Sequence, residues 1–304
     1  MKTFHMTSAD GKTRLACYRT ECKNPQAMLQ ISHGMCEYIR RYSEFATYLA
    51  RRGILVFGHD HLGHGETAPT DADLGFTAED GGSEYLVEDV HNLSLNMMDE
   101  YPNVPLVLFG HSMGSFIARE VMARYGEHYR AAIFCGTGGP DMPAKAGKLL
   151  ASVLMRLFGE RHRSKLLKKI SFAGYNKKYD DVETSCDWLT RDDSVVQRYL
   201  HDPFCNYVFT LRAYHDLFTL VEQVSRRSWA ERLPKNVPIL VVSGMMDPVG
   251  SWGIGVKKVA DRLSDAGINT TLRLYPDMRH EILNEIGKEQ VWEELELWVK
   301  TFVT

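Results

Sequence analysis

The segment Pro105-Leu106-Val107-Leu108-Phe109-Gly110-His111-Ser112-Met113-Gly114-Ser115-Phe116-Ile117-Ala118-Arg119-Glu120-Val121-Met122 holds the most informative pattern in the chain. It opens on a short apolar run of strand character and closes on a stretch whose apolar residues recur at helical spacing. Between them lies Gly110-His111-Ser112-Met113-Gly114, a G-x-S-x-G. By composition alone such a pentapeptide falls in about one chain in ten of this length, so its context carries the reading. Strand, sharp turn and helix are what a nucleophile elbow requires. The turn strains the serine backbone and exposes its hydroxyl. Small residues at 110 and 114 avoid neighbouring backbone, and the helix N-terminus favours negative charge nearby.

Working outward, further short apolar runs occur at Ala27–Ser32, Ile54–Gly58, Ala131–Cys135, Val237–Ser243 and Thr271–Tyr275. They read as strands buried on both faces of a parallel sheet. Amphipathic stretches lie between them, at Tyr42–Arg52, Ser83–Tyr101, Gly114–Tyr125 and Val256–Ala266. Alternating strand and helix predicts an α/β fold with a mostly parallel, doubly wound sheet. The first twenty residues alternate and break at Ala9-Asp10-Gly11, which predicts an antiparallel hairpin. One interval is too long for a crossover. Between Cys135 and Val237 no strand is evident, so residues 137–230 read as a mainly helical insertion into a core made of 1–136 and 231–304.

The chain has 304 residues, 44% of them hydrophobic, with 36 Lys plus Arg against 39 Asp plus Glu. That composition supports a buried core and argues against disorder or a repeat fibre. A net charge of −3 offers no global attraction for nucleic acid. It is an average, however: Lys145–Lys169 carries eight basic residues against one acid, Glu160, beside an apolar stripe of Leu150, Val153, Leu154, Leu157 and Phe158. A solvated basic face with its stripe in the core is one reading; transient contact with a membrane or micelle through 145–169 is the other. The six cysteines form no CxxC pair, and the N-terminus has no apolar signal core. Reduced thiols and a cytoplasmic address are therefore expected.

A serine hydroxyl needs a base, and the base needs an orienting carboxylate. Behind such an elbow the partners follow in the order acid, then histidine, on loops after later strands. Asp247 lies in the exit loop of the Val237–Ser243 run, and His280 lies in the loop after Thr271–Tyr275. The backbone amides of Met113 and of Met35, in the loop after Ala27–Ser32, are the expected oxyanion donors.

Two other motifs compete. His59-Asp60-His61-Leu62-Gly63-His64 is a near miss for a hydrolytic zinc site, because Gly63 stands where an aspartate ligand is needed. Gly250-Ser251-Trp252-Gly253 is a near miss for a second elbow, with Val249 in place of its first glycine. Neither a metal nor a cofactor is expected.

These residues together resemble the monoacylglycerol lipase and lysophospholipase-like branch of the α/β-hydrolases. The likeness spans nearly the whole chain. His33-Gly34-Met35-Cys36-Glu37-Tyr38-Ile39-Arg40-Arg41-Tyr42 is similar to the branch's HGxxEHxxRY segment, with Tyr38 for the usual histidine. Asp60 to Thr67 is similar to its D-x-x-GHG-x-S, Gly110 to Gly114 is its GHSMG, and Tyr275 to Glu281 resembles its histidine loop. The resemblance implies Ser112, Asp247 and His280 as triad, Met35 and Met113 as oxyanion donors, and a cap over the site at 137–230. Asp187 to Asp192 and Asp202-Pro203-Phe204 look like cap segments of bacterial members. It implies hydrolysis of a monoacyl lipid ester, a monoacylglycerol or lysophospholipid. An apolar set including Leu149, Leu150, Leu154, Phe158, Phe204, Tyr207, Phe209 and Phe218 would floor an acyl tunnel. Esterase, thioesterase or amidase action on other substrates, or a catalytically silent binding protein, are the competing readings.

Overall fold

The computed structural model describes residues 1–302. Eight strands form one sheet: β1 (Lys2–Thr7), β2 (Arg14–Arg19), β3 (Ala27–Ser32), β4 (Ile54–His59), β5 (Leu106–His111), β6 (Ala131–Cys135), β7 (Ile239–Gly244) and β8 (Thr270–Tyr275). Their order is β1-β2-β4-β3-β5-β6-β7-β8. β2 pairs antiparallel with β1 and β4, and every later pairing is parallel. β5 and β7 begin after Pro105 and Pro238, which have no N–H to give to the ladder.

The continuous apolar runs are explained by burial on both faces. In β5, Leu106 and Leu108 join one core cluster while Val107 and Phe109 join the other. The first cluster is closed by α2 (Gly82–Glu100), α3 (Met113–Tyr125) and α8 (Ile254–Asp265). The second is closed by α1 (Ser43–Ala50) and α9 (Lys288–Lys300), through Phe45, Leu49, Trp292 and Leu295.

Between β6 and β7 the chain forms α4 (Ala144–Phe158), α5 (Lys165–Ser171), α6 (Asp193–His201) and α7 (Leu211–Ser225). α4 packs along α7. The apolar stripe of α4 goes only partly into the core: Leu150 and Leu154 pack against the core cluster. Val153, Leu157 and Phe158 are exposed, as are Leu149 on the same helix and Leu166 and Ile170 on α5, while Ala144 and Ala151 are the buried residues of α4. A helical stripe has the same period whichever way it faces, and here Leu150, Leu154 and Met155 turn toward the core cluster while the other large apolar residues face out.

The hairpin turn is fastened to α2 by a buried carboxylate. Asp89 accepts from the Ser8 hydroxyl (2.8 Å) and the Ala9 amide (2.6 Å). Burial, with Asp10 and Glu88 nearby, outweighs these donors and pushes its pKa up to about 7. A pKa raised on folding contributes stability below the ordinary aspartate range, and that contribution is lost as pH rises through about 7. Asp89→Asn, which keeps an acceptor for Ala9, should therefore raise the Tm at pH about 8.5 and have little effect at pH about 5. Parallel Tm curves for the two proteins between those pH values would refute it.

Candidate active site

Ser112 lies between β5 and α3, as the N-cap of α3, with φ 54° and ψ −120°, a backbone region that L-residues rarely occupy. The glycines on either side permit this turn. A Cβ at Gly110 would sit 2.4 Å from the Gly114 carbonyl oxygen, and one at Gly114 would sit 2.0 Å from that of Ser32. Close approach of α3 to β5 thus requires hydrogen at Gly110, and its approach to the end of β3 requires hydrogen at Gly114. The Ser112 hydroxyl borders a cavity of about 1200 Å³, and it makes no hydrogen bond among the described residues.

Asp247 and His280 meet although 33 residues separate them: His280 Nδ1 lies 2.9 Å from Asp247 Oδ2. Asp247 also accepts from the Ser243 hydroxyl (3.1 Å) and the Val249 amide (2.8 Å). Burial alone would raise this carboxyl, but His280 and these donors bring it below the usual aspartate range. A carboxylate facing Nδ1 holds the proton there and leaves Nε2 free to act as a base. His280 lines the same cavity as Ser112. The Ser112–His280 hydrogen bond itself is not formed, and such bonds often tighten only around substrate.

Met35 and Met113 line the cavity, and no acceptor among the described residues takes their amides outside the helical ladder. The Met35 loop is built from below. Gly34 N–H donates to Glu37 Oε1 (2.5 Å), and His33 Nδ1 lies 2.8 Å from the Gly34 oxygen while its Nε2 accepts from the His61 amide (3.0 Å). His33 is therefore the neutral Nδ1–H tautomer, in keeping with burial that lowers its pKa. The His59-His61-His64 run, scanned above as a metal motif, is this buried support: His61 reaches Ser32 Oγ (3.0 Å) and His59 Nε2 (3.3 Å). Among the described residues no group of three His, Cys, Asp or Glu side chains is placed to hold a metal ion.

Sequence reasoning assigned no role to the polar network behind His280. Arg41 Nη1 donates to Glu37 (2.9 Å) and Glu281 (2.7 Å), and its Nη2 donates to Glu281 again (2.7 Å). Tyr42 donates to Glu37 (2.8 Å), whose Oε1 also lies 3.1 Å from His111 Nδ1. Burial alone would lower His111 and raise Glu37, but each favours the other's charged form, with Arg41 adding to the pull on Glu37, so His111 titrates above its ordinary value and Glu37 well below. His111 Nε2 then faces the His280 carbonyl oxygen at 3.3 Å. One ionic cluster thus joins the Met35 loop to the His280 loop. Its members lay inside the quoted motifs, which was the only signal available. Tyr38, the departure from HGxxEH, donates to Asp202 Oδ2 (2.7 Å) and packs edge-on against Phe204. The segment after α5 grips the histidine loop as well: His280 N–H reaches Trp188 O (3.3 Å), and Arg279 donates to Asp187 O (2.8 Å).

Of the eight apolar residues expected to floor a tunnel, Leu150, Tyr207 and Phe218 line the cavity. Phe209 is in the core, Phe204 packs on Tyr38, Leu154 packs against the core, and Leu149 and Phe158 face solvent. Other walls come from Phe116, Met142, Tyr199, Leu217 and Val221.

A doubly wound sheet with a strained serine at the β5–α3 turn and a buried His–Asp pair beside it defines a serine hydrolase of the α/β-hydrolase fold, acting on carboxylic esters. Residues 23–287 match the serine aminopeptidase S33 family, and the chain belongs to it. It is 27% identical over 280 residues to a monoacylglycerol lipase of Mycolicibacterium smegmatis, covering 91% of this chain and 89% of that protein. It is likewise 27% identical over 303 residues to a monoglyceride lipase of Homo sapiens, covering 97% and 89%. Among solved structures, a thermostable carboxyl esterase from Bacillus coagulans in complex with glycerol superposes with a TM-score of 0.94 at 28% identity, covering 100% of this chain and 99% of the other.

Proposed function

We propose that the protein hydrolyses monoacyl lipid esters, monoacylglycerols or lysophospholipids, by a two-step acyl transfer. Ser112 attacks the ester carbonyl while His280 takes its proton and returns it to the leaving alcohol; water then cleaves the acyl-enzyme by the reverse proton path. Asp247 holds the imidazole tautomer and stabilises imidazolium. The Met35 and Met113 amides receive the oxyanion. Residues 137–230 act as a cap over this site.

The observation that carries the reading is the cavity beside Ser112. At about 1200 Å³ it exceeds the roughly 300–1,000 Å³ that suits a drug-sized ligand, and many of its walls are aliphatic or aromatic. The likeness to monoacylglycerol and monoglyceride lipases supports the lipid substrate, and the carboxyl esterase likeness supports small esters as the second reading. A kcat/KM series over monoacylglycerols, lysophospholipids, acyl-CoAs and p-nitrophenyl esters of increasing chain length tests it. Preference should rise toward medium or long chains; a flat profile or an acetyl optimum would refute the lipid assignment.

The outward face of α4 supports membrane contact by the cap. Leu149, Leu157 and Phe158 are 66%, 69% and 59% exposed, with Lys145, Arg156 and Arg161 beside them in sequence. The double variant Leu157→Ser/Phe158→Ser should sediment with anionic vesicles several-fold less than wild type. Equal sedimentation would exclude this face.

A further inference from the structure

The cavity walls come in two chemical kinds from different elements. α4 and α7 contribute apolar residues, among them Leu150, Leu217 and Phe218. α5 and the loop that follows it contribute Lys165, Lys168, Lys169 and Lys177. Lys165, Lys169 and Lys177 are exposed and Lys168 is half-buried, so this side of the cavity is open to water and carries positive charge, unlike the apolar α4–α7 side.

None of the four forms an ion pair among the described residues; of the other lysines, Lys2, Lys148, Lys257, Lys258, Lys288 and Lys300 do, and Lys12, Lys23, Lys145, Lys178 and Lys235 do not. Lys168 donates to Asn206 instead, at its backbone oxygen (3.2 Å) and its Oδ1 (3.0 Å). Lys177 lies over the Trp252 ring, 4.9 Å from its centroid, against the loop that carries Asp247. The carboxylates bordering the cavity are already engaged: Glu37 and Glu281 by Arg41, and Asp141 by Lys258. Asp180, Asp181 and Glu183 follow Lys177 in sequence but do not line the cavity, and Asp181 is bound by Arg279. Positive charge is therefore left over at the lysine wall. A cleft with low-dielectric walls and charge of one sign concentrates a counter-charged ligand.

We propose that this lysine wall is a subsite for a phosphate group on the alcohol side of the ester, so that monoacyl esters of a phosphorylated alcohol are preferred over neutral monoacylglycerols. The proposal rests on the catalytic reading of Ser112 given above. The chemistry is that of ordinary ester cleavage: the acyl carbon bonds to Ser112 Oγ, its bond to the alcohol oxygen breaks, and His280 passes the serine proton to that oxygen. The phosphorylated alcohol then leaves past the lysines, which attract phosphate whether it is part of a lipid headgroup or free.

The test compares octanoyl-glycerol with octanoyl-glycerol 3-phosphate, both kept monomeric, as a ratio of their kcat/KM values. Wild type should favour the phosphate ester about tenfold at low salt, and the ratio should fall toward one in roughly 0.5 M salt as the charges are screened. In Lys165→Ser/Lys169→Ser/Lys177→Ser the ratio should approach one at low salt, and with glutamate at the same positions it should invert. Free glycerol 3-phosphate should inhibit wild type competitively and the triple variant much less. A wild-type ratio at or below one overturns the proposal, as does a ratio that survives the substitutions. So does a preference seen on anionic vesicles but not with monomeric esters, which would assign the lysines to a membrane surface. A protein that cleaves neither ester and is not labelled by a fluorophosphonate would instead overturn the Ser112 reading.

Discussion

Replacing Ser112 with alanine is expected to lower kcat/KM for any ester substrate by about 10⁴-fold or more, and to abolish labelling by a fluorophosphonate probe that marks the wild type. The size follows from the mechanism, because removal of the nucleophile leaves only binding and oxyanion stabilisation. The fold should not suffer. The Ser112 hydroxyl has no hydrogen bond to lose and borders the cavity. Alanine keeps the strain of φ 54°, whereas glycine occupies that region freely. Ser112→Gly should thus be equally inactive yet melt at a higher temperature than Ser112→Ala, which separates strain from chemistry. Equal labelling of wild type and alanine variant would refute the assignment of the nucleophile. Activity abolished by a chelator would point back to the His59–His64 run.

The second large effect is on stability. Arg41→Leu should cost about 3–5 kcal/mol, because it leaves buried Glu281 without a cation and Glu37 with only His111, Tyr42 and the Gly34 amide. Side-chain exposure is 10% for Arg41, 3% for Glu37 and 4% for Glu281, so water cannot replace the lost partner. At this chain length such a loss lowers the Tm by roughly 5–8 °C. The mechanism predicts a rescue: in Arg41→Leu/Glu281→Gln one stranded charge is gone, and part of the Tm should return even though another native group has been removed. A double variant no more stable than Arg41→Leu would show that the arginine acts through packing alone. Activity should fall with stability, since Glu37 holds the Gly34 amide beside Met35 and Glu281 adjoins His280.

Which parts of this site could be read without coordinates depended on the range of the underlying physics. The β5–α3 elbow is local: an apolar run, two glycines and a helical period lie within eighteen residues. Asp247 and His280 could be nominated because each follows its own strand, but only the structure shows their side chains 2.9 Å apart. The Glu37–Arg41–Glu281 cluster has no such signature. Its ion pair spans 240 positions, and nothing in the local period of either segment marks the partner. The same holds for Tyr38, whose departure from the family pattern acquires a reason only when Asp202 and Phe204 are seen against it.

The amphipathic stripe of α4 shows the boundary most plainly. Composition and periodicity determined that a helix would form there, with apolar and basic faces, and that the sheet would run mostly parallel with Ser112 at a strand end. Only the tertiary structure decided that Ala144 and Ala151 are the residues α4 buries, that Leu157 and Phe158 meet solvent, and that Leu150 reaches the cavity. The reason is physical. Period and propensity are properties of one segment and survive in isolation, whereas the direction a face points, and which charges it meets, depend on neighbours that chain folding brings from far away.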